Sequence, residues 1–407
     1  MIDNVIVLKF GGSVLESEGN LRKAAGLVEQ QVRTGAKVVV VVSALRGETD
    51  RLLRMAKKID ANIANPLLDD ILSMGERTSA RLFSAALATS GVKGKVIDPD
   101  SNLWPIVTDE NYSDANPIYQ QTKTLVQQKL EPLITDGYVP IVCGFVGMTT
   151  SGQITTMGRG GSDTTATLIG SCLGAKEVRL VKDVANVYSS DPALVKEPKP
   201  IGVLDSAEAQ LLSAGGAKFL HSKSLRFQRE GTRLRLSSLG SSEISGTVID
   251  GKIEDDLLVE RHQDPISMIT IVGSELSSTG AVGAILEEAR RSKWQLMAFT
   301  FDERSMILYA VDGKLMVEKL HASIVGGGLA KAITSFEELV MITVRGSALE
   351  TSRGLIQRVT QPLADENINI FGLVTMSSSI RIFLSKEQAE RAISRIKTGL
   401  VRDDEKS

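Results

Sequence analysis

Residues 156 to 167 read Thr156-Met157-Gly158-Arg159-Gly160-Gly161-Ser162-Asp163-Thr164-Thr165-Ala166-Thr167, and an apolar helical run, Leu168, Ile169, Cys172 and Leu173, follows at once. Three glycines open the backbone beside a fixed cation, Arg159, and a carboxylate, Asp163. Glycines ahead of a helix leave backbone N–H groups free to meet an anion, and the helix dipole favours that anion. The stretch therefore reads as a phosphate or carboxylate loop opening a helix. A second glycine loop, Lys9-Phe10-Gly11-Gly12-Ser13, follows the apolar strand-like run Val5 to Leu8. Two anion-cradling loops in one chain suggest phosphoryl transfer rather than simple binding.

Outward from these loops, strand and helix alternate up to about residue 250. Leu21, Ala24, Ala25, Val28, Gln31 and Val32 fall on one helical face. Val38 to Val42 is a continuous β-branched run, as expected of a strand covered on both sides. Helices are expected over Leu67 to Thr89 and Tyr119 to Leu130, with strands at Val139 to Cys143 and Val178 to Lys182. This alternation predicts an α/β fold with a mostly parallel sheet sandwiched by helices.

The rhythm changes after about residue 255. Ile266 to Val272, a helix from Gly280 to Ser292, Leu296 to Phe301, Met306 to Val311 and a helix near Leu315 to Ile324 form one β-α-β-β-α unit. Leu339 to Val344, a helix from Thr351 to Asp365, Ile368 to Val374, Ile380 to Leu384 and a helix from Glu387 to Thr398 repeat it. The first strands lie about 73 residues apart, which marks a tandem pair of small α+β units. The second unit lacks a closing strand, and an orphan strand, Leu257 to Glu260, is expected to complete it.

The 407 residues are enough for two or three domains, each with its own core. Charged residues are 24% and the net charge is −2, so no general affinity for nucleic acid or an anionic membrane is implied. Cys143 and Cys172 have apolar neighbours and no metal-ligand spacing, and read as buried thiols of a reducing, cytoplasmic compartment. The start, Met1-Ile2-Asp3-Asn4, runs straight into a strand without a signal peptide's basic region. No apolar run approaches the roughly 20 residues that span a bilayer. Neither a Walker phosphate loop nor a dinucleotide fingerprint is present.

With both loops and the tandem repeat in hand, the chain resembles the aspartate kinases of the amino-acid-kinase superfamily over essentially its whole length. Ordered blocks carry the resemblance: Lys9-Phe10-Gly11-Gly12-Ser13, Val42-Ser43-Ala44, Gly75-Glu76-Arg77, the loop at 158 to 163, Lys182-Asp183-Val184 with Val187-Tyr188, Asp191-Pro192, and Gly216-Ala217-Lys218 with Leu220-His221. It implies a kinase catalytic domain over 1–255 and two ACT-like, ferredoxin-like regulatory units over 264–334 and 335–400, the second completed by strand 257–261. It implies ATP as cofactor with Mg2+ carried on it, L-aspartate as substrate, and a homodimer or higher homo-oligomer. The product would be 4-phospho-L-aspartate, the first step towards lysine, threonine and methionine.

The residue types suit that chemistry. A carboxylate acceptor is already ionised at pH 7, so attack on the γ-phosphorus needs positioning and positive charge rather than a base. Lys9 fits the catalytic role, with the amides of Gly11, Gly12 and Ser13 around the phosphoryl oxygens; alone it would read as a strand-end lysine. Arg159 would grip the substrate α-carboxylate as a two-pronged donor, flanked by Gly160, Gly161 and Ser162. Glu76 would accept from the α-ammonium, or else pair with Arg77 or Arg81 on a helix surface. Thr49, in Leu45-Arg46-Gly47-Glu48-Thr49, matches a substrate-contacting position, or else caps a helix. Asp163 either orients Lys9 or touches magnesium. Lys182, Asp183, Tyr188 and Lys218 match the nucleotide side, with strand-end, packed-aromatic and solvated-lysine readings beside them.

Two departures stand out. Ala193 follows Asp191-Pro192 where the family usually has arginine, so Lys196 or Lys199 compensates or ATP is held more weakly. His221-Ser222-Lys223 replaces a frequent His-Pro-Arg, which makes His221 a structural histidine. In the ACT-like units the effector loops would be Ser274 to Gly283 and Ser347 to Gly354, the first with Gly280 and Gly283, the second with Glu350 and Arg353 beside Gly354. Asn367 and Asn369 match an effector-contacting region and equally suit a helix-to-strand turn. Feedback by lysine or threonine and a purely dimerising role both stay open. So do a different acceptor, such as glutamate, and a catalytically weak regulatory subunit.

Overall fold

The computed structural model describes residues 3–240, 245–251, 257–274, 276, 279–311, 313–346, 349, 354–376 and 378–401. The chain divides into two compact units, Met1–Ile253 and Glu254–Ser407. The tail Arg402 to Ser407 and the loop residues Glu350 and Arg353 lie outside the described residues. Among the described residues no helix is long and apolar enough to cross a membrane.

The first unit is built on an eight-stranded sheet. In chain order its parts are β1 (Val5–Phe10), α1 (Glu18–Arg33), β2 (Lys37–Val42), α2 (Glu48–Ile59), α3 (Asn65–Ala88), β3 (Gly94–Ile97), α4 (Tyr119–Thr135) and β4 (Val139–Cys143). A small hairpin, β5 (Val146–Met148) with β6 (Ile154–Thr156), leads into α5 (Gly161–Leu173) and β7 (Glu177–Lys182). A two-stranded ladder, β8 (Val187–Tyr188) with β9 (Pro200–Ile201), then precedes β10 (Val203–Asp205), α6 (Ser206–Ala214), α7 (Ser222–Leu225), β11 (Arg233–Ser238) and β12 (Val248–Asp250). The sheet order is β10-β12-β11-β7-β1-β2-β4-β3, parallel throughout except between β11 and β12. Val38 to Val42 are all buried, because helices cover both faces of the central strands. α5 is buried along its whole length, and its hydroxyls bond back one turn: Thr164 to Gly160 O, Thr165 to Gly161 O and Thr167 to Asp163 O. The amphipathic α2 entered the sequence expectation only as the helix that Thr49 would cap, its apolar residues being few among charges.

The second unit carries a seven-stranded antiparallel sheet of two ACT-like halves. It contains β13 (Leu258–Arg261), β14 (Ile266–Val272), α8 (Thr279–Arg291), β15 (Leu296–Phe301), β16 (Ser305–Val311) and α9 (Gly313–Leu320), then β17 (Ala332–Arg345), α10 (Leu355–Asp365), β18 (Gly372–Met376), β19 (Ser379–Ser385) and α11 (Ala389–Val401). The path is β15-β16-β14-β17-β19-β18, with β13 also on β17. β17 is longer than the expected strand Leu339 to Val344. Its first half pairs with β14 and its second half with β19 and β13, so one strand serves both halves. The register shifts opposite Ile266 to Met268, and Glu338 there adopts a positive φ of 64°, the local kink of a bulge. Two further expectations need correcting. Residues 368–371 are not strand, because the turn after α10 is closed by Ile368 N–H to Leu363 O and β18 begins only at Gly372. The expected helix to Ile324 ends as α-helix at Leu320 and widens into a π turn, His321–Val325.

Candidate active site

Four neighbouring parallel strands, β7, β1, β2 and β4, end on the same edge of the first sheet. Carboxyl-end crevices of such sheets are where ligands bind, because loops diverge there and helices begin. Lys9 stands near the end of β1, Lys182 ends β7, Ser43 follows β2, and Gly144-Phe145 follows β4. A cavity of about 190 Å³ opens at this edge. Seven of its lining residues are sequence candidates: Lys9, Thr49, Glu76, Gly160, Gly161, Ser162 and Asp163.

Asp163 lies in the first turn of α5 and is 5% exposed. Its Oδ1 pairs with the Lys9 ammonium at 2.8 Å and its Oδ2 with that of Lys182 at 2.7 Å. Burial opposes its charge, but the two cations Lys182 and Lys9 together hold its pKa well below the usual carboxylate range. Burial lowers the Lys9 pKa, Asp163 opposes that, and Lys182 adds repulsion. Both carboxylate oxygens are occupied by ammonium groups. Of the two readings of Asp163, this geometry fits the one in which it orients Lys9. Lys182, expected on the nucleotide side, belongs to this charge cluster and also donates to Phe219 O at 2.7 Å.

Glu76 lies on α3 and is 3% exposed. Gly75 makes its approach possible: a Cβ there would stand 2.8 Å from the Ala44 Cβ. Glu76 Oε1 accepts from Ala44 N–H at 3.0 Å, while Oε2 is buried without a hydrogen-bond partner among the described residues. Burial pushes its pKa up to about 8, against the pull of the Ala44 amide and Lys9. The alternative pairing with Arg77 or Arg81 is not formed, since those guanidinium groups engage Asp98 and Asp100. Thr49 lines the cavity from the first turn of α2, whose N-cap is Gly47, so Thr49 is not the cap.

α5 has no side-chain N-cap. Gly160 holds that position in the left-handed conformation, φ 73°; the Gly161 amide donates to Gly158 O at 3.1 Å, which leaves the Ser162 and Asp163 amides of the first turn for a ligand. At the other loop the Gly11 amide is not available: it donates to Val181 O at 3.2 Å. The amides of Gly12 and Ser13 have no hydrogen-bond partner among the described residues. The Arg159 side chain is exposed beside the cavity rather than lining it. Asp183 and Lys218 are exposed, Tyr188 is half-buried in β8, and none of the three lines the cavity. His221 Nδ1 accepts from Lys223 N–H at the start of α7, and burial together with Lys223 lowers its pKa.

Sequence reasoning gave no role to three contributors, although Ser43 stands in the quoted Val42-Ser43-Ala44 block. Ser43 and Phe145 line the cavity, and Phe145 holds a positive φ of 66° that its β4-to-β5 turn imposes. For Phe145 only the position just after a buried strand could have served as a signal. Asp69, fully buried on α3, accepts from the amide and hydroxyl of both Ser113 and Thr156, and so pins the strand that enters the glycine loop. Nothing local distinguishes Asp69 from its neighbour Asp70.

Residues 4–238 match the amino acid kinase family. The chain is 30% identical over 391 residues to the aspartokinase of Geobacillus stearothermophilus, covering 90% of this chain and 89% of that protein. It is 27% identical over 402 residues to the aspartokinase of Rickettsia felis, covering 96% and 97%. In fold it resembles the aspartate kinase of Synechocystis, with a TM-score of 0.81 and 23% identity over 97% of this chain and 69% of that one. It also resembles E. coli aspartokinase III in complex with aspartate and ADP, with a TM-score of 0.56 and 24% identity over 97% and 99%. Both glycine loops and the Lys9–Asp163 pair lie inside the matched region, and the chain belongs to the amino acid kinase family, among its aspartokinases.

Proposed function

We propose that the protein transfers the γ-phosphoryl group of ATP to the side-chain carboxylate of L-aspartate, giving 4-phospho-L-aspartate. One observation carries this reading. A single cavity is lined both by Lys9 and Asp163, whose carboxylate also pairs with Lys182, and by a buried carboxylate, Glu76, with one oxygen unpartnered among the described residues. Such a site is matched to a phosphoryl group at one end and an amino acid's ammonium at the other.

Aspartate's carboxylate is the nucleophile and is ionised at neutral pH, so no residue removes a proton from it. Lys9 meets the charge gathering on the transferring group, with the Gly12 and Ser13 amides and the α5 dipole beside it. Asp163 holds the Lys9 and Lys182 ammonium groups in place. Glu76 Oε2 accepts from the α-ammonium, and the exposed Arg159 folds onto the α-carboxylate, with Thr49, Gly160, Gly161 and Ser162 around it. Asp183, Tyr188 and Lys218 take the nucleotide. Magnesium is proposed to enter on the ATP phosphates, as that ion commonly does, supplying charge neutralisation there.

We assign catalysis to residues 1–255 and regulation to 264–334 and 335–400. Binding of lysine or threonine at the ACT-like units, a homodimer or larger assembly, and a cytoplasmic setting complete the reading. One of the similar structures, E. coli aspartokinase III, is a complex with lysine and aspartate, and both cysteines here are free and buried. The test is ATP turnover with aspartate, glutamate or no acceptor, trapping acyl phosphate with hydroxylamine, with and without lysine or threonine. Aspartate-specific hydroxamate is expected. Folded protein that binds aspartate but yields none with any acceptor would sink the enzyme reading.

A further inference from the structure

The loop lining the cavity holds two left-handed residues within three positions, Gly158 (φ 70°) and Gly160 (φ 73°). That freedom lets the chain turn sharply into α5, but it also admits many other loop conformations. Contacts from outside the loop must select one. Lys223, on α7, is 3% exposed. Its ammonium donates to Asp114 Oδ1 at 2.9 Å, Asp114 O at 3.2 Å, Ala115 O at 2.9 Å and Met157 O at 3.0 Å. Four acceptors surround three N–H bonds, so at least one proton is shared. A compact ammonium serves oxygens gathered around a point, whereas a flat guanidinium serves a plane.

The segment leading to Lys223 is tied to both sides of the site. A Cβ on Gly160 would fall 2.4 Å from the His221 Cβ, so the histidine rests directly on the loop. Two residues earlier, Phe219 O accepts from Lys182. Among the described residues the only charged acceptor of Lys223 is Asp114, whose side chain is 71% exposed; the other three are backbone carbonyls.

We propose that Lys223 is a positioning residue that sets the Met157–Gly161 loop in the geometry aspartate binding needs. This deepens the reading above and rests on aspartate occupying the end of the cavity shared by Glu76 and Gly160. Without the ammonium, the buried carbonyls of Ala115 and Met157 lose a donor, and the loop relaxes to recover one. Aspartate binding then weakens, while ATP, held from the Lys9, Gly12 and Lys182 side, is little affected.

Lys223→Met, Lys223→Arg and Asp114→Asn variants of the full chain are to be compared for kcat, for KM of aspartate and of ATP, and for thermal midpoint. Lys223→Met is expected to raise the aspartate KM about tenfold or more with the ATP KM within about twofold, since small misplacement of positioning groups is costly. Lys223→Arg should recover part of that loss, and Asp114→Asn should raise the aspartate KM about threefold by removing one charge-assisted bond. A folded Lys223→Met protein whose aspartate KM stays at the parent value overturns the proposal. So does an equal rise in both KM values. If Lys223→Met does not fold, unchanged aspartate KM in both milder variants overturns it. A parent enzyme without aspartate-dependent hydroxamate would instead refute the function on which the inference rests.

Discussion

The two sheets of this protein solve burial in different ways. In the first, Val38 to Val42 are buried without alternation, since helices lie on both faces. In the second, alternate residues part company: Met306, Leu308 and Ala310 pack with the helices, while Ile307, Tyr309 and Val311 face the other side. That other face keeps a small aromatic cluster, with Tyr309 stacked on Phe383 at 3.8 Å and Phe336 on Phe371 at 4.9 Å, and leaves Phe336 46% exposed. A doubly covered parallel sheet has no free face, so its chemistry can only collect at the strand ends. The polar cluster is found there. A singly covered antiparallel sheet keeps a face and edges for association, and we place regulation there.

The sharpest way to break this comparison is at the strand ends. Lys9→Met should lower kcat by about 10³-fold, the scale of losing an electrostatic group at a reacting centre, with an unchanged thermal midpoint range of a folded protein. Steady-state hydroxamate formation checks it, and near-normal turnover would remove Lys9 from the reaction. Next in size is a paired stability test. Val40→Asp buries a charge between two helix layers and should cost about 4 kcal/mol or more. Phe336→Thr, on the half-covered face, should cost about 1 kcal/mol, most of it the lost aromatic pair. Denaturant melts of both variants decide; equal losses would mean that both sheets are covered alike.

A third test uses protons. The folded pKa of Glu76, about 8, is raised above the ordinary glutamate value of 4.5. Its contribution to stability is therefore fully present below the unfolded pKa and is lost as pH rises through about 8. An ammonium ligand favours the ionised form, so aspartate binding should release protons near pH 7 and tighten as pH rises towards 8. Calorimetry in buffers of different ionisation enthalpy measures that release. Glu76→Gln should abolish it and raise the aspartate KM about tenfold or more; a release that persists in the variant would assign the proton elsewhere. The smallest effect concerns the nucleotide. Ala193→Arg adds an exposed cation, worth at most about 1 kcal/mol, so the KM for ATP should fall no more than about fivefold. No change would indicate that Lys196 or Lys199 already serves.

Much of this molecule is legible in one dimension. The β-branched run at Val38 to Val42 marked a doubly covered strand, the apolar run at Met306 to Val311 marked a strand without saying which face is covered, and glycines before an apolar run marked where α5 opens. These are local consequences of backbone geometry and side-chain period, so the chain carries them without its partners. The shared strand β17 was read only in its second half, because Ala332 to Glu338 mixes Thr334, Ser335, Glu337 and Glu338 with few apolar residues and kinks at Glu338. What tertiary structure alone decided is which charges meet. Lys9, Asp163 and Lys182 come together because β1 and β7 are parallel neighbours and α5 begins above their ends. Glu76 turned inward because its alternative partners, Arg77 and Arg81, found Asp98 and Asp100. Gly11, promising in sequence, gave its amide to Val181. The energy of an ion pair or a buried hydrogen bond depends on a few ångströms between residues distant in sequence. Spacing along the chain does not encode that distance, and packing does.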